Sequence, residues 1–349
     1  MELFGRQWTR RELEARVGRL EQIGDLQRLK RLEGMEADVE LIHVRTGAGL
    51  SYYVNPMKGL DISLAEFAGV PISWQAANGD VHPAYYDDRG AEWLRTASGG
   101  LLMTCGLTQA GAPSEEGGEK LGLHGRAHHS PAKQVSARGE WAGDEYEMRV
   151  TGTVEEASTA GSHLRLTREI SSKLGDNRIR IRDVVENAGF TAAPHMMMYH
   201  FNFGYPLLAE ETTIELPSDG YTMRDADARA ESYGTWQAPD PAAPEAVLFH
   251  RVVRGSRVTA AIRNPRFPLA NGSASLPLEA RLSWHTANLP QLVQWHMPGA
   301  GMHVLGIEPA NCLTFGRAAE RAAGRLVTLE PGEAVTYELE LEVRVLPVI

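Results

Sequence analysis

The stretch HLRLTREISSKLGDNRIRIRDVVENAG, residues 163–189, decides the fold class. Leu164 and Leu166 stand at alternate positions in its first arm, and Ile179 and Ile181 do the same in its second. A period of two puts such side chains on one face of a strand, whereas a helix needs three- and four-residue spacing. Between the arms, Gly175-Asp176-Asn177 supplies residues suited to a tight reversal. The stretch therefore reads as an antiparallel hairpin with one apolar face.

Working outward, the same period recurs. In AVTYELELEVRVL, residues 334–346, Tyr337, Leu339, Leu341, Val343 and Val345 face one way and Glu338, Glu340, Glu342 and Arg344 the other. Such a strand belongs in an antiparallel sheet with one wet face. VELIHVRTG (39–47) reads as one strand and GLDISLAEFAGVPISW (59–74) as two. The proline-rich APDPAAPEA, residues 238–246, reads as a surface loop. Helical spacing occurs only over residues 9–33, where Thr9 is placed to cap and Leu13, Val17, Leu20 and Ile23 recur. The expected architecture is all-β: one large β-sandwich over residues 39–349, preceded by a helical extension over residues 1–38. No internal repeat suggests a propeller or solenoid.

Composition narrows the function classes. Among 349 residues the net charge is −10, and no basic run marks a nucleic-acid partner. No run of 18 apolar residues suggests a membrane span, and the N-terminus lacks a secretory apolar core. The two cysteines, Cys105 and Cys312, fit a reducing compartment, so a cytoplasmic location is expected. Cys105 has no visible base beside it and reads as a buried thiol. A homodimer formed through an edge strand stays open.

Three polar clusters sit in apolar surroundings: GLHGRAHHSPA (122–132), YHFNFGYP (199–206) and VLGIEPANC (304–312). Taken singly, His200 reads equally as a satisfied core histidine, Glu308 as a surface acid before Pro309, and His124 as a turn residue. His195 and His200 are five apart and so point to opposite faces of a strand. With no cysteine or carboxylate at metal-site spacing, no metal is expected.

In their order, these clusters resemble the galactose mutarotase (aldose 1-epimerase) superfamily. LHGRA resembles its His-Gly segment, YHFNFGYPLL its His-x-x-Phe strand and GIEPANC its Glu-Pro strand end. RIRIRDVVENAG is similar to the hairpin before the catalytic histidine. KGLDI, ISW and TCGL resemble a bacterial aldose 1-epimerase-like branch. The resemblance implies a twisted antiparallel sandwich with a sugar cleft and a cofactor-independent isomerase that interconverts anomers. Position by position it implies His200 as acid, Glu308 as base and His124 as a substrate contact, and the acid and the base are expected on either side of the sugar ring.

The branch has arginine where this chain has Lys58, which alters the contact available there. Arg126 is preferred over Arg95 as the substrate-orienting arginine. Asn202 would share His200's face, and Gln294 would contact a hydroxyl; Trp74, Trp295 or Tyr205 would stack on the sugar. A sugar-binding sandwich without catalysis and an epimerase or lyase acting at another carbon are the alternatives.

Overall fold

The computed structural model describes residues 1–225, 232–253 and 255–347. The hairpin forms as the alternation requires: His163–Lys173 pairs antiparallel with Arg178–Asn187, with Ile170 opposite Ile181. Gly175 takes φ +83°, and a Cβ there would come within 2.2 Å of the Glu2 carbonyl oxygen, so glycine is needed for the turn to pack. Around the hairpin grows an eight-stranded sheet. Its order is Lys133–Ala142, Glu145–Ala157, His163–Lys173, Arg178–Asn187, Ala334–Val345, Ser275–His285, Arg257–Pro268 and Thr213–Glu215.

A twelve-stranded sheet packs against it. Its main path runs Ser218–Met223, Ala246–Val252, Gln291–Gly299, Met302–Ala310, Ala193–Phe203, Leu102–Leu107, Asp61–Phe67, Leu50–Asn55, Glu40–Arg45 and Leu26–Lys30. Leu164, Leu166, Ile179, Ile181, Leu339 and Leu341 of the smaller sheet share one core with Tyr52, Val54, Ile62, Tyr199 and Phe201 of the larger. Burying each such side chain contributes about 1.5–3 kcal/mol. The all-β sandwich expected from the sequence is the observed architecture.

The N-terminal segment departs from expectation. Thr9 does cap a helix, with Glu12 completing a capping box, but the helix spans only Arg10–Glu14. Leu20–Gln22 is a 3-10 turn, and Leu26–Lys30 is an edge strand paired with Glu40–Arg45, so the helical reading of residues 9–33 fails beyond Glu14. Pairing with a neighbouring strand gives Leu26–Lys30 the backbone partners that a short isolated helix would lack. The expected boundary at residues 38/39 thus falls between two paired strands.

A cluster of charged side chains lies inside the sandwich. Arg168 shares the inward face of its strand with Leu164 and Leu166, and it is fully buried. Its guanidinium reaches Asp183 on the neighbouring strand at 2.6 Å and Asp61 of the opposite sheet at 2.7 Å. Asp61 also meets His128 Nδ1 at 2.6 Å, and Asp183 accepts from the Tyr199 hydroxyl at 2.7 Å. This chain of contacts ties the two sheets together beneath the site.

Candidate active site

The Ala193–Phe203 strand separates its residues by parity. Met197, Tyr199, Phe201 and Phe203 enter the core between the sheets. His195 shares that inward face: its Nδ1 lies 3.1 Å from the Leu107 carbonyl and its Nε2 2.8 Å from the Tyr337 hydroxyl. Met196, Met198 and His200 emerge on the other side, where His200 lines a cleft of about 730 Å³. His195 and His200 diverge, as their spacing predicts. Among the described residues no three His, Cys, Asp or Glu side chains are grouped to hold a metal ion.

Register brings the distant carboxylate to the imidazole. Met198 stands opposite Ala310 and Phe201 opposite Ile307, which places His200 across from Glu308 on the adjacent strand. His200 Nε2 is 3.1 Å from Glu308 Oε1, within proton-transfer reach. The strand does not stop at Pro309 but runs on to Ala310, with Pro309 opposite Leu292. Glu308 is therefore buried in the cleft and is not a surface acid. Gly306 makes the contact possible: a Cβ there would lie 2.6 Å from Glu308 Oε1 and 3.3 Å from His200 Cε1.

His124 completes the cluster from a turn in the left-handed region, with φ +56° at His124 and +73° at Gly125. Its backbone is held on both sides: its N–H donates to the Gly111 carbonyl at 2.8 Å, and its carbonyl accepts from Gly106 at 3.0 Å. The His124 and His200 rings meet edge to face at 5.9 Å between centroids.

Burial governs the charges here. It pushes the Glu308 carboxyl well above the usual carboxylate range, with Glu245 adding to the effect and Arg224 opposing it. It lowers His200 to about 4. His124 falls to about 3 through burial, reinforced by His200. Both shifts oppose an ion pair: burial favours the neutral carboxyl on Glu308 and the neutral imidazole on His200, so a proton shared between them rests on the carboxyl side. Trp93 Nε1, His124 Nδ1 and His200 Nδ1, all on cleft-lining residues, are buried without a hydrogen-bond partner. Leaving such atoms unpaired costs about 1–3 kcal/mol each, so water or a bound polar ligand has to meet them.

The chain belongs to the family described as domain of unknown function (DUF4432). The match spans residues 36–343. No curated protein matches it. Among solved structures, a "putative aldose 1-epimerase" from Klebsiella pneumoniae is 23% identical, covers 91% of this chain and 83% of its own, and superposes with a TM-score of 0.83. A galactose mutarotase-like protein from Clostridium acetobutylicum is 13% identical over 92% of this chain and 99% of its own, with a TM-score of 0.58. Galactose 1-epimerase from Lactobacillus acidophilus is 13% identical with the same coverages and a TM-score of 0.56. The fold is galactose mutarotase-like, as the sequence resemblance implied.

Of the residues singled out from sequence, His124, His200 and Glu308 line the cleft, as do Trp74 and Trp295. The others lie elsewhere. Arg126 is engaged by Asp88 at 2.8 Å and by Glu156 at 3.5 Å, outside the cleft wall. Arg95 is largely exposed beside Glu92. Lys58 is buried, its ammonium bonded to the Thr96 carbonyl, and burial lowers it to about 8 against the pull of Asp80 and Asp61. Tyr205 is 70% exposed and apart from the cleft.

Asn202 keeps His200's parity, yet its amide is spent on the Gly100 and His200 carbonyls, both at 3.1 Å. Gln294 is turned away by the same parity that points Trp295 into the cleft; it bonds His250 at 3.0 Å and the Tyr233 carbonyl at 3.1 Å. Gln294 and the Asn202 NH2 are thus satisfied by protein, whereas the Asn202 Oδ1 is buried without a partner.

Sequence reading missed Trp93, on the 3-10 helix Glu92–Arg95, and Arg224 and Glu245, beside strand ends; none of them carries a motif. It also missed the interior pair Arg168 and Asp183. That signal was present, because both share the parity of the hairpin's apolar residues.

Proposed function

We propose that this protein is a cofactor-independent sugar isomerase of the aldose 1-epimerase type, with His200 and Glu308 as its acid–base pair. The observation that carries the reading is their contact at 3.1 Å on the floor of a cleft. The two oxygens to be served, the C1 hydroxyl and the ring oxygen, are bonded to the same carbon. An acid and a base that serve them belong side by side, not across the ring as a pair flanking the sugar would stand. Glu308 takes the proton from the C1 hydroxyl while His200 protonates the ring oxygen, and the C1–O5 bond opens. Rotation about C1–C2 turns the aldehyde over; closure on its other face returns both protons. The step starts with the pair's proton on His200 Nε2, the placement that burial disfavours before the sugar binds, and ring closure returns it there, so no outside donor is needed. His124 supports the reading as a neutral contact for a hydroxyl, and Trp74 and Trp295, 6.2 Å apart edge to face, offer apolar surface to a ring. The structures named for aldose or galactose 1-epimerase share this fold and favour the same chemistry.

NMR exchange spectroscopy across a panel of aldoses tests the reading. The wild type is expected to accelerate anomer exchange for at least one sugar, and Glu308→Gln or His200→Asn to slow it about 10²–10⁴-fold. No acceleration for any sugar, together with saturable binding, would identify a binding module instead; full activity in Glu308→Gln would remove the proposed base.

A further inference from the structure

We infer that the cleft takes an uncharged reducing sugar bearing an apolar substituent at a ring position other than C1, such as an aryl, acyl or alkyl group. This rests on the acid–base reading above and deepens it.

The first argument is size. A hexopyranose has about a dozen non-hydrogen atoms, and even at a water molecule's share of about 30 Å³ each it fills roughly half of this space. The cleft of about 730 Å³ lies in the range that encloses larger ligands. A bare monosaccharide would leave much of the wall uncovered.

The second argument is the chemistry of that wall. The groups able to meet hydroxyls are His124, His200, Glu308, the buried Trp93 N–H, the buried Thr314 hydroxyl and Asn78, apart from the charged cluster at Arg224. Elsewhere the cleft is bounded by Leu94, Met103, Leu123, Val247, Met302 and Phe315. Three of these are large apolar side chains left in water: Leu94 is 60% exposed, and Met302 and Phe315 are 41% exposed each. Exposed apolar side chains that all line one cleft mark a binding surface rather than the scattered exposure usual on proteins. A second sugar ring laid on this apolar stretch would bring hydroxyls to side chains that cannot pair with them, at a desolvation cost. An apolar group loses nothing there and gains from burial.

The third argument is charge. Arg224 is the cation of the cleft among the described residues, and its guanidinium is matched by Asp225 at 2.7 Å and Glu245 at 3.0 Å. Two carboxylates on one guanidinium leave that side of the cleft negative. A phosphate or carboxylate on the sugar would meet repulsion rather than a receptor.

Calorimetric titration with 3-, 4- and 6-O-benzyl-galactose and -glucose, their unsubstituted parents and the 6-phosphates tests the inference. At least one benzyl ether is expected to bind at least tenfold tighter than its parent, with the 6-phosphates weakest. The gain is expected to vanish in Leu94→Ser and Phe315→Ser, whose exposed positions leave the fold intact. If no benzyl ether exceeds its parent, or if the gain survives both substitutions, the inference is overturned. Anomer exchange measured on the same sugars reports separately on the acid–base pair. Tight benzyl-ether binding without exchange would keep the substrate class and remove the proposed catalysis. Exchange with parents and ethers bound alike would do the reverse.

Discussion

Lowering the pH should unfold this protein through its buried imidazoles, and His195 offers the cleanest measure of the effect. It is sealed between the sheets, with its Nδ1–H directed at the Leu107 carbonyl and its Nε2 accepting from the Tyr337 hydroxyl. No carboxylate touches it, and burial lowers it to about 4 from an ordinary value of 6.5. A folded-state value below the unfolded one means that the unfolded chain takes up the proton first as pH falls. Stability is therefore intact above about pH 6.5 and is lost progressively down to about pH 4. At pH 5 the unfolded imidazole gains about 1.5 units' worth of protonation, so His195 alone costs about 2 kcal/mol there. That is a large share of a typical folding free energy of about 5–15 kcal/mol. Urea unfolding followed by tryptophan fluorescence at pH 7 and pH 5 reads the loss. In His195→Gln, which keeps an acceptor for Tyr337, the loss between the two pH values should be smaller by about 2 kcal/mol. The variant's constant, pH-independent deficit cancels in this comparison. Equal losses in the two proteins would refute the claim that His195 is held neutral.

Other perturbations separate the structural from the chemical. Arg168→Met strands Asp61 and Asp183 in the interior and should cost about 3–5 kcal/mol in urea unfolding, against a few tenths for the exposed Arg149→Ala. Gly306→Ala should cut any anomerase activity at least about tenfold with circular dichroism unchanged, because its methyl group would displace the Glu308 carboxylate from His200. Arg126→Ala should leave sugar affinity unchanged in calorimetry, since its guanidinium belongs to Asp88 and Glu156. Cys105 and Cys312 are both buried, and burial raises both thiols, so a thiol-specific reagent should label neither in the native protein and both in urea.

What the sequence determined by itself was periodic and local. Alternation in the hairpin and the C-terminal strand specified faces, the Thr9 cap specified where a helix begins, and the parity of YHFNFG specified that His200 leaves the core while Phe201 and Phe203 enter it. These follow from the two-residue repeat of a strand and from donors that a cap must satisfy, and both operate over a few residues. Tertiary structure decided the rest, because partners distant in the chain choose among locally equivalent options. Leu26–Lys30 is a strand because Glu40–Arg45 lies beside it. Arg126, Lys58, Asn202 and Gln294 carry groups suited to a sugar, but each found a protein partner first, and no pattern in the sequence records who arrives. The contact between His200 and Glu308 depends on the register of two strands more than a hundred residues apart and on the missing side chain of Gly306. A single-residue slip would turn Glu308 to the opposite face, since neighbours on a strand point opposite ways.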